Sequence, residues 1–333
     1  MTGMGRERRM SMLLVCLILA GALAACALSA ARTGGPHAAP SAGPVPEDYV
    51  DLRTVAPAPP APQPGPDGSA GSFTVDCGRN EEGHYNQDNL VVSPGLQGGA
   101  HHTHAYVGNL STDAASTDGS LASAPTTCRG GDRSTYYWPV LRRTDRPATE
   151  THETAAGHGN AGQILQPVKV RLEFRGNPAG KVVAMPRFLR ALTGDAVAFT
   201  ARTDEAVRAQ WGCSSLPDRS TRSYPRCPEG DRLTRTLVFP SCWNGIDTRA
   251  TGHTHLRFPA ANGVCPGDTF AVPELRLGLE YEALPDGVPI ALDSFPEQRH
   301  SPRTDHAMFV NVMTESRMAQ LVDCLNDSRH CRT

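Results

Sequence analysis

The sequence has 333 residues, with 28 Pro and 32 Gly and only 20% charged residues. Its 32 basic residues are balanced by 34 acidic residues, for a net charge of −2, which argues against a nucleic-acid partner. A chain of this length can bury a sizeable core, so it has room for one large domain or two small ones.

The N-terminus is typical of an export signal. Arginines within residues 6–9 precede the apolar run 12–25, which is too short for a comfortable membrane span. The run ends in Leu-Ala-Ala-Cys, which resembles a bacterial lipobox. We therefore predict a lipoprotein signal peptide over 1–25, lipidation of Cys26 and an extracytoplasmic protein whose only membrane contact is this lipid. The alternative is cleavage at a nearby small residue, which would give a secreted protein.

Residues 26–71 are dominated by Pro, Ala and Gly. Such a segment buries too little apolar surface to fold alone, so we predict a disordered tether. The stretch 47–55 interrupts it with alternating apolar positions and could dock onto the domain as a strand. The remaining residues, 72–333, contain neither a second linker nor an internal repeat and are expected to form one monomeric domain.

The cysteines fit an exported protein. Two of the ten lie in the leader, and an even number remains, without the Cys-x-x-Cys spacing of a thiolate metal site. Disulfides are therefore expected; their pairing is open, and neighbours in sequence give the simplest arrangement. The eight residues are Cys77, Cys128, Cys213, Cys227, Cys242, Cys265, Cys324 and Cys331.

Short alternating or β-branched runs separated by turn residues dominate the domain, which predicts a mainly β, single sandwich-like domain of jelly-roll type. Helical patterns are few, at 185–194 and at the C-terminal 315–327. The predicted strands lie within 168–174, 196–202, 233–240, 269–283 and 307–313.

Several phrases resemble the DUF1996 family, a domain of unknown function of exported bacterial and fungal proteins. They include a Ser-Pro-Gly turn followed by His-x-His and Gly, a Tyr-Tyr-Trp-Pro run and a Phe-Pro-Ser-Cys-Trp block. The resemblance implies polysaccharide surroundings, since some fungal relatives have cell-wall-binding modules, but it implies no reaction. The segments are 90–109, 128–141, 239–259, 273–281 and 305–313.

Two positions depart from the family's pattern. Asn244 and Met308 stand where the family has Asp. If those carboxylates served catalysis, this chain would be impaired or would use Asp247 or Asp305 instead.

The histidines suggest a metal. His102 and His104 share a His-x-His spacing with His253 and His255, and residues two apart in a strand point to one face. Two such pairs could supply the imidazoles for zinc or copper, with His102, His104 and His255 as the candidate ligands of a divalent metal cofactor. The alternative is that these histidines brace turns through local hydrogen bonds.

A metal-free enzyme is the second hypothesis. His104, His255 and His306, with Asp305, could do acid–base chemistry on a cell-wall or environmental glycan. No pair of carboxylates suitable for a glycosidase is evident. We predict that His102 or His104 shares one solvent-open cleft with His255 and His306.

Aromatic residues supply the sugar-binding candidates. Tyr137, Trp138 and Trp243 could stack on a polysaccharide, with Arg187 fixing its polar groups. Core packing is the alternative role for the aromatic rings. The third hypothesis is a non-enzymatic surface protein that uses the same residues for binding or structure.

Overall fold

The chain folds as many short strands with few helices. The computed structural model describes residues 43–148, 158–202 and 204–333, so the predicted signal peptide and Cys26 lie outside the described residues. Within these ranges the strands are, in chain order, β1 (Tyr49–Asp51), β2 (Ser72–Val75), β3 (Tyr85–Asn86), β4 (His104–Gly108), β5 (Thr135–Pro139), β6 (Leu141–Arg143), β7 (Gln163–Leu165), β8 (Lys169–Arg175), β9 (Arg190–Gly194), β10 (Gln210–Cys213), β11 (Tyr224–Arg226), β12 (Arg232–Val238), β13 (Cys242–Trp243), β14 (Leu256–Arg257), β15 (Phe270–Ala271), β16 (Glu274–Ala283), β17 (Ile290–Leu292), β18 (His306–Val310) and β19 (His330–Arg332).

The helices are short except for the last. Helix α3 begins after Thr314, whose hydroxyl accepts a hydrogen bond from the Arg317 amide, and it confirms the helix predicted over 315–327. Among the described residues, no helix is long and apolar enough to cross a membrane. The α-helices there are α1 (Asp118–Ser123), α2 (Ala198–Ala201) and α3 (Glu315–Asn326), and single 3-10 turns occupy Pro46–Asp48, Leu52–Thr54, Arg129–Gly131, Thr251–His253, Pro296–Gln298 and Pro302–Thr304.

Two local predictions are wrong. The segment 185–194, predicted as a helix, forms a turn and then β9, because Phe188 has a left-handed φ of 68° and β9 pairs along its whole length with β18. The segment 196–202, predicted as a strand, contains α2. In β9 the strand pairing overrides the local helical pattern.

Two large sheets pack face to face around one core. Their strand orders are β10–β12–β16–β8–β2–β19 and β3–β4–β5–β18–β9. The described residues also form a two-stranded sheet, β1–β11, and two three-stranded sheets, β14–β13–β15 and β17–β6–β7. The ring centroid of Phe309 in the five-stranded sheet lies 5.9 Å from that of Phe174 in the six-stranded sheet and 6.3 Å from that of Phe239. This arrangement confirms the mainly β, sandwich-like prediction.

The five-stranded sheet is buried on both faces. Its outer face contacts a second core in which Tyr106, Tyr137 and Met308 pack against Leu90 and Leu121. The rings of Tyr106 and Tyr137 stack with centroids 4.7 Å apart. Polar side chains on this outer face are therefore shielded from water.

Four disulfides cross-link the part of the chain that the structure describes. They join Cys77 to Cys128, Cys213 to Cys227, Cys242 to Cys265 and Cys324 to Cys331. These pairs confirm the disulfide prediction and its simplest connectivity, in which each cysteine bonds to its neighbour in sequence.

Part of the predicted tether is ordered. Strand β1 pairs in parallel with β11, Leu52 is fully buried, and Tyr49 packs on Tyr224 with ring centroids 5.3 Å apart. Further along, the Ser69 amide donates to the Asn177 carbonyl. The expectation of disorder therefore does not hold for these residues, because apolar side chains within the Pro-rich segment find a surface on the domain.

Candidate three-histidine metal centre

The site is built at one end of the five-stranded sheet. His104 is the first residue of β4 and pairs with Pro139 at the end of β5, and His306 is the first residue of β18. The side chains of His104 and His306 share the outer face with Tyr106 and Met308, because residues two apart in a strand point the same way. Pro139 lies in β5, the strand between β4 and β18.

Three imidazoles converge there. The Nε2 atom of His102 lies 3.1 Å from that of His104 and 3.3 Å from that of His306, and the last two are 3.4 Å apart. The three residues, called the triad below, are only 1%, 0% and 2% exposed. Such a buried contact of three polar atoms needs a partner that satisfies all of them.

The protonation of two rings follows from their neighbours. The Nδ1 of His104 lies 3.0 Å from the Asp88 carbonyl oxygen and that of His306 2.8 Å from the Thr304 carbonyl oxygen. Because a carbonyl can only accept, each Nδ1 must carry the proton. Burial lowers the pKa of His306 and places the pKa of His104 well below its usual value, so both rings are neutral. Their Nε2 lone pairs therefore face each other.

His102 completes the triangle. Burial, and next the proximity of His104, places its pKa well below the usual value. Its Nδ1 is buried and makes no hydrogen bond of good geometry, although the Ala100 carbonyl is near enough to favour protonation there. A proton on His102 Nε2 could satisfy the other two rings only by being shared between them.

The triangle has the dimensions of a metal site. Zinc binds imidazole nitrogen at 2.0–2.1 Å, so three nitrogens around one ion at tetrahedral angles lie about 3.3–3.4 Å apart. The observed separations of 3.1–3.4 Å match this spacing. The carbonyls behind His104 and His306 also act as the outer hydrogen-bond partners that orient metal-bound histidines.

A buried ion pair fixes the segment between two ligands. Arg142 Nε lies 2.6 Å from Asp293 Oδ1, and both side chains are buried. The other oxygen of Asp293 accepts the amide of Thr103, which stands between His102 and His104. The carboxylate therefore holds this backbone in place.

A second buried ion pair joins the two histidine strands. Arg235 contacts Asp305 with an N–O distance of 2.5 Å and also donates to the Pro139 carbonyl and the Tyr281 hydroxyl. Asp305 precedes His306, and Pro139 pairs with His104. One guanidinium thus joins the end of β5, which pairs with His104, to the residue that precedes His306.

Gly194 allows the close approach of β9 to His306. Its φ is +83°, and a Cβ built there would lie 2.1 Å from the Asp305 carbonyl oxygen and 2.7 Å from the Cα of His306. Any other residue would push His306 away.

The structure separates the remaining sequence-based candidates. His255 does not join the cluster: its Nε2 donates to the Arg190 carbonyl at 2.7 Å. Asp305 is engaged by Arg235 and does not stand free as a base. The expected solvent-open cleft is also wrong, because the second core covers the face on which the triad lies.

The predicted sugar-binding residues fall into two groups. Tyr137 and Trp138 are 0% and 1% exposed, so neither ring can stack on a glycan. Trp243 is half-buried and Arg187 is exposed, and both line a separate pocket of about 320 Å³. At the departures from the family pattern, Met308 packs in the second core and Asn244 donates to Asp247 at 2.8 Å.

Sequence reasoning missed the residues that hold the triad. Arg142, Asp293 and Arg235 were not among the candidates, yet all three are buried in its support. One signal was present for Arg235. It alternates with Leu233 and Leu237 on the inward face of β12, where a charged residue needs a partner.

Comparison with known proteins identifies a family but no individual relative. No curated protein and no solved structure matches the chain. The family described as "Domain of unknown function (DUF1996)" matches residues 89–301, which include His102 and His104 and end shortly before His306. Because this match covers well over half of the sequence, in agreement with the motifs, the chain belongs to the DUF1996 family.

Proposed function

We propose that this protein binds one transition-metal ion, zinc or copper, through the Nε2 atoms of His102, His104 and His306. The observation that supports it is the convergence of three buried Nε2 atoms within 3.4 Å of one another while two Nδ1 atoms are committed to carbonyls. Imidazole nitrogen suits both metals, and neutral rings are the form that binds. A bound ion would form a bond with each of the three Nε2 atoms and so remove the repulsion between their lone pairs.

The proposed centre leaves a coordination position free. Among the described residues, the candidate ligand group is His102, His104 and His306, without a carboxylate or thiolate. Three protein ligands plus water or substrate is the arrangement of catalytic zinc sites, whereas structural sites are closed by four. We infer that the ion contacts a small molecule at this position.

The ligand set also determines the local charge. Three neutral imidazoles leave the full charge of the ion uncompensated, and both nearby ion pairs, Arg142–Asp293 and Arg235–Asp305, are internally neutral. A water on such an ion would lose a proton readily, since a bound cation is the largest charge in its surroundings. Hydroxide would then offset part of that charge.

A glycan partner remains a narrower proposal. With Tyr137 and Trp138 buried, it rests on Trp243 and Arg187 at their shared pocket and on the polysaccharide surroundings implied by the family resemblance. Trp243→Ala should weaken retention on an insoluble cell-wall polysaccharide, whereas His104→Gln should not. Equal retention of the wild type and Trp243→Ala would remove this support.

The location is proposed likewise. Four disulfides fit an extracytoplasmic protein, and we propose that a lipid on Cys26 anchors it. Cys26→Ser should release the protein from membranes or leave its precursor uncleaved. Unchanged fractionation and processing would favour the secreted alternative.

Metal binding is tested by stoichiometry and affinity. Purified protein stripped with a chelator should take up one equivalent of Zn²⁺ or Cu²⁺ in competition with a chromophoric chelator. Replacing His102, His104 or His306 by Gln should weaken metal binding at least 100-fold, because only two of the three histidine ligands are left. The matched control is His255→Gln, a buried histidine outside the triad, which should bind like the wild type. Wild-type protein that takes up neither metal would contradict the proposal.

A further inference from the structure

A second pair of histidines lies beside the triad, toward the surface. His101 is exposed and His158 is half-buried, and their ring centroids are 4.7 Å apart at an interplanar angle of 80°. Within the triad, the rings of His102 and His104 have the same 4.7 Å separation and a similar angle of 71°. The surface pair therefore resembles the His102–His104 pair in ring separation and interplanar angle.

One aromatic ring contacts both sets of histidines. The centroid of Phe295 lies 5.8 Å from that of His101 and 5.3 Å from that of His102. Its side chain is half-buried, so it stands between the exposed ring and the buried one. Phe295 is therefore in ring contact with one histidine of each set.

The surface pair is held by a buried amide. Asn160, which is 2% exposed, donates to the carbonyls of His101 and Ser294 at 3.2 and 3.0 Å and accepts the Ser294 amide at 2.9 Å. The three segments that bear His101, His158 and Phe295 are thus joined at one side chain. The hydrogen bonds of Asn160 therefore fix the backbone at His101 and next to Phe295.

We propose that His101 and His158 form a surface site that captures the metal ion and passes it to the triad past Phe295. This inference rests on the proposed function of the triad and adds the route by which the ion arrives. A hydrated ion cannot reach three buried nitrogens without exchanging its water for other ligands. Two imidazoles at the surface supply the first of them, and His102, next to His101 in sequence, is the first triad ligand reached.

The rate of metal uptake tests the route. Apo-protein is mixed with Zn²⁺ in a stopped-flow instrument, and loading is followed by the loss of zinc from an indicator. The double variant His101→Asn and His158→Asn should load at least tenfold more slowly and still reach one ion per chain. Asn suits the left-handed backbone at His101, where φ is 55°. The control is His330→Asn, an exposed histidine on the six-stranded sheet, which should load at the wild-type rate.

Two further variants make the result decisive. Phe295→Ala removes the cover and should raise the rates of both uptake and release; unchanged rates would mean that the ion takes another path. A variant with Gln at all three triad positions should retain one weak Zn²⁺ site that disappears when His101 and His158 are also replaced. If that weak site is absent, or if the double variant loads like the wild type, the capture site is wrong. Failure of the wild type to load, with the weak site present, would instead contradict the proposed function of the triad.

Discussion

The Nε2 atoms of His102 and His306 lie 3.3 Å apart although 204 residues separate them in the chain. Their contact requires β4, β5 and β18 to pair in one register, so it forms only when these three strands of the sheet are assembled. A ligand that bridges these atoms binds the folded chain far better than the unfolded chain, and binding must then stabilise the fold.

Metal should therefore raise the stability of the domain. At a free Zn²⁺ concentration about 100-fold above Kd, the free energy of unfolding should increase by about 2.7 kcal/mol relative to protein in chelator. Urea unfolding with and without Zn²⁺ measures this difference. His104→Gln should abolish it, and His255→Gln should preserve it. The same increase in His104→Gln as in the wild type would place the ion elsewhere.

The sequence predicts the local half of this site. The strand predicted at 307–313 places His306 at a strand end, and the His-x-His spacing keeps His102 and His104 close in the chain, since both are local properties. Strand alternation does not apply to His102, because β4 begins at His104. The sequence does not predict that β5 separates the two strands or that Pro139 stands in the row between them. Such pairings join distant segments, and no local pattern encodes the register.

The failure of the second His-x-His pair has a local cause. Gly252 and His253 have left-handed φ values of 66° and 56°, within a 3-10 turn. The strand begins only at Leu256, so His253 and His255 do not alternate in one strand. Glycine in the pattern Thr-Gly-His-Thr-His indicates a turn. His102 also precedes its strand, since β4 begins at His104, so neither His-x-His pair alternates within one strand.

Arg235 should stabilise the fold and help to set the spacing of the triad. Arg235→Met leaves the Asp305 carboxylate buried without a partner and should cost about 3–5 kcal/mol of unfolding free energy. Adding Asp305→Leu should recover most of this loss, because the uncompensated charge is gone. Urea unfolding of the single and double variants measures both effects.

Zinc affinity distinguishes a positioning role of Arg235 from a purely structural one. The double variant should be folded yet bind Zn²⁺ at least tenfold more weakly, because Pro139 and Asp305 are no longer joined. Wild-type affinity in that variant would show that the ion pair does not set the geometry of the triad.

The disulfides should differ in their contribution to stability. The Cys77–Cys128 bond spans 51 residues and the Cys324–Cys331 bond spans 7. Loop-closure entropy then predicts losses of about 4 and about 2 kcal/mol when each pair is replaced by alanines. Urea unfolding of Cys77→Ala/Cys128→Ala and of Cys324→Ala/Cys331→Ala tests the order. A larger loss for the C-terminal pair would contradict the entropic account.

Acid should destabilise the metal-free protein through the triad. Burial lowers the pKa of all three histidines below the usual value of about 6.5, whereas the unfolded chain titrates near that value. Below about pH 6.5 the unfolded state therefore binds more protons, and the free energy of unfolding falls by about 1.4 kcal/mol per pH unit for each histidine, until the folded state also takes up protons. Above about pH 7 both states are neutral, and the triad contributes no slope.

The measurement is urea unfolding in chelator across this range. Between about pH 6 and about pH 5, a protein with Gln at all three triad positions should lose up to about 4 kcal/mol less than the wild type, because three titrating groups are absent. Other acidic and basic groups act equally in both proteins and cancel in the comparison. If the triple variant shows the wild-type slope, the triad rings are charged in the folded protein. Charged imidazoles have no free nitrogen lone pair for a metal ion, and the proposed metal site would then be wrong.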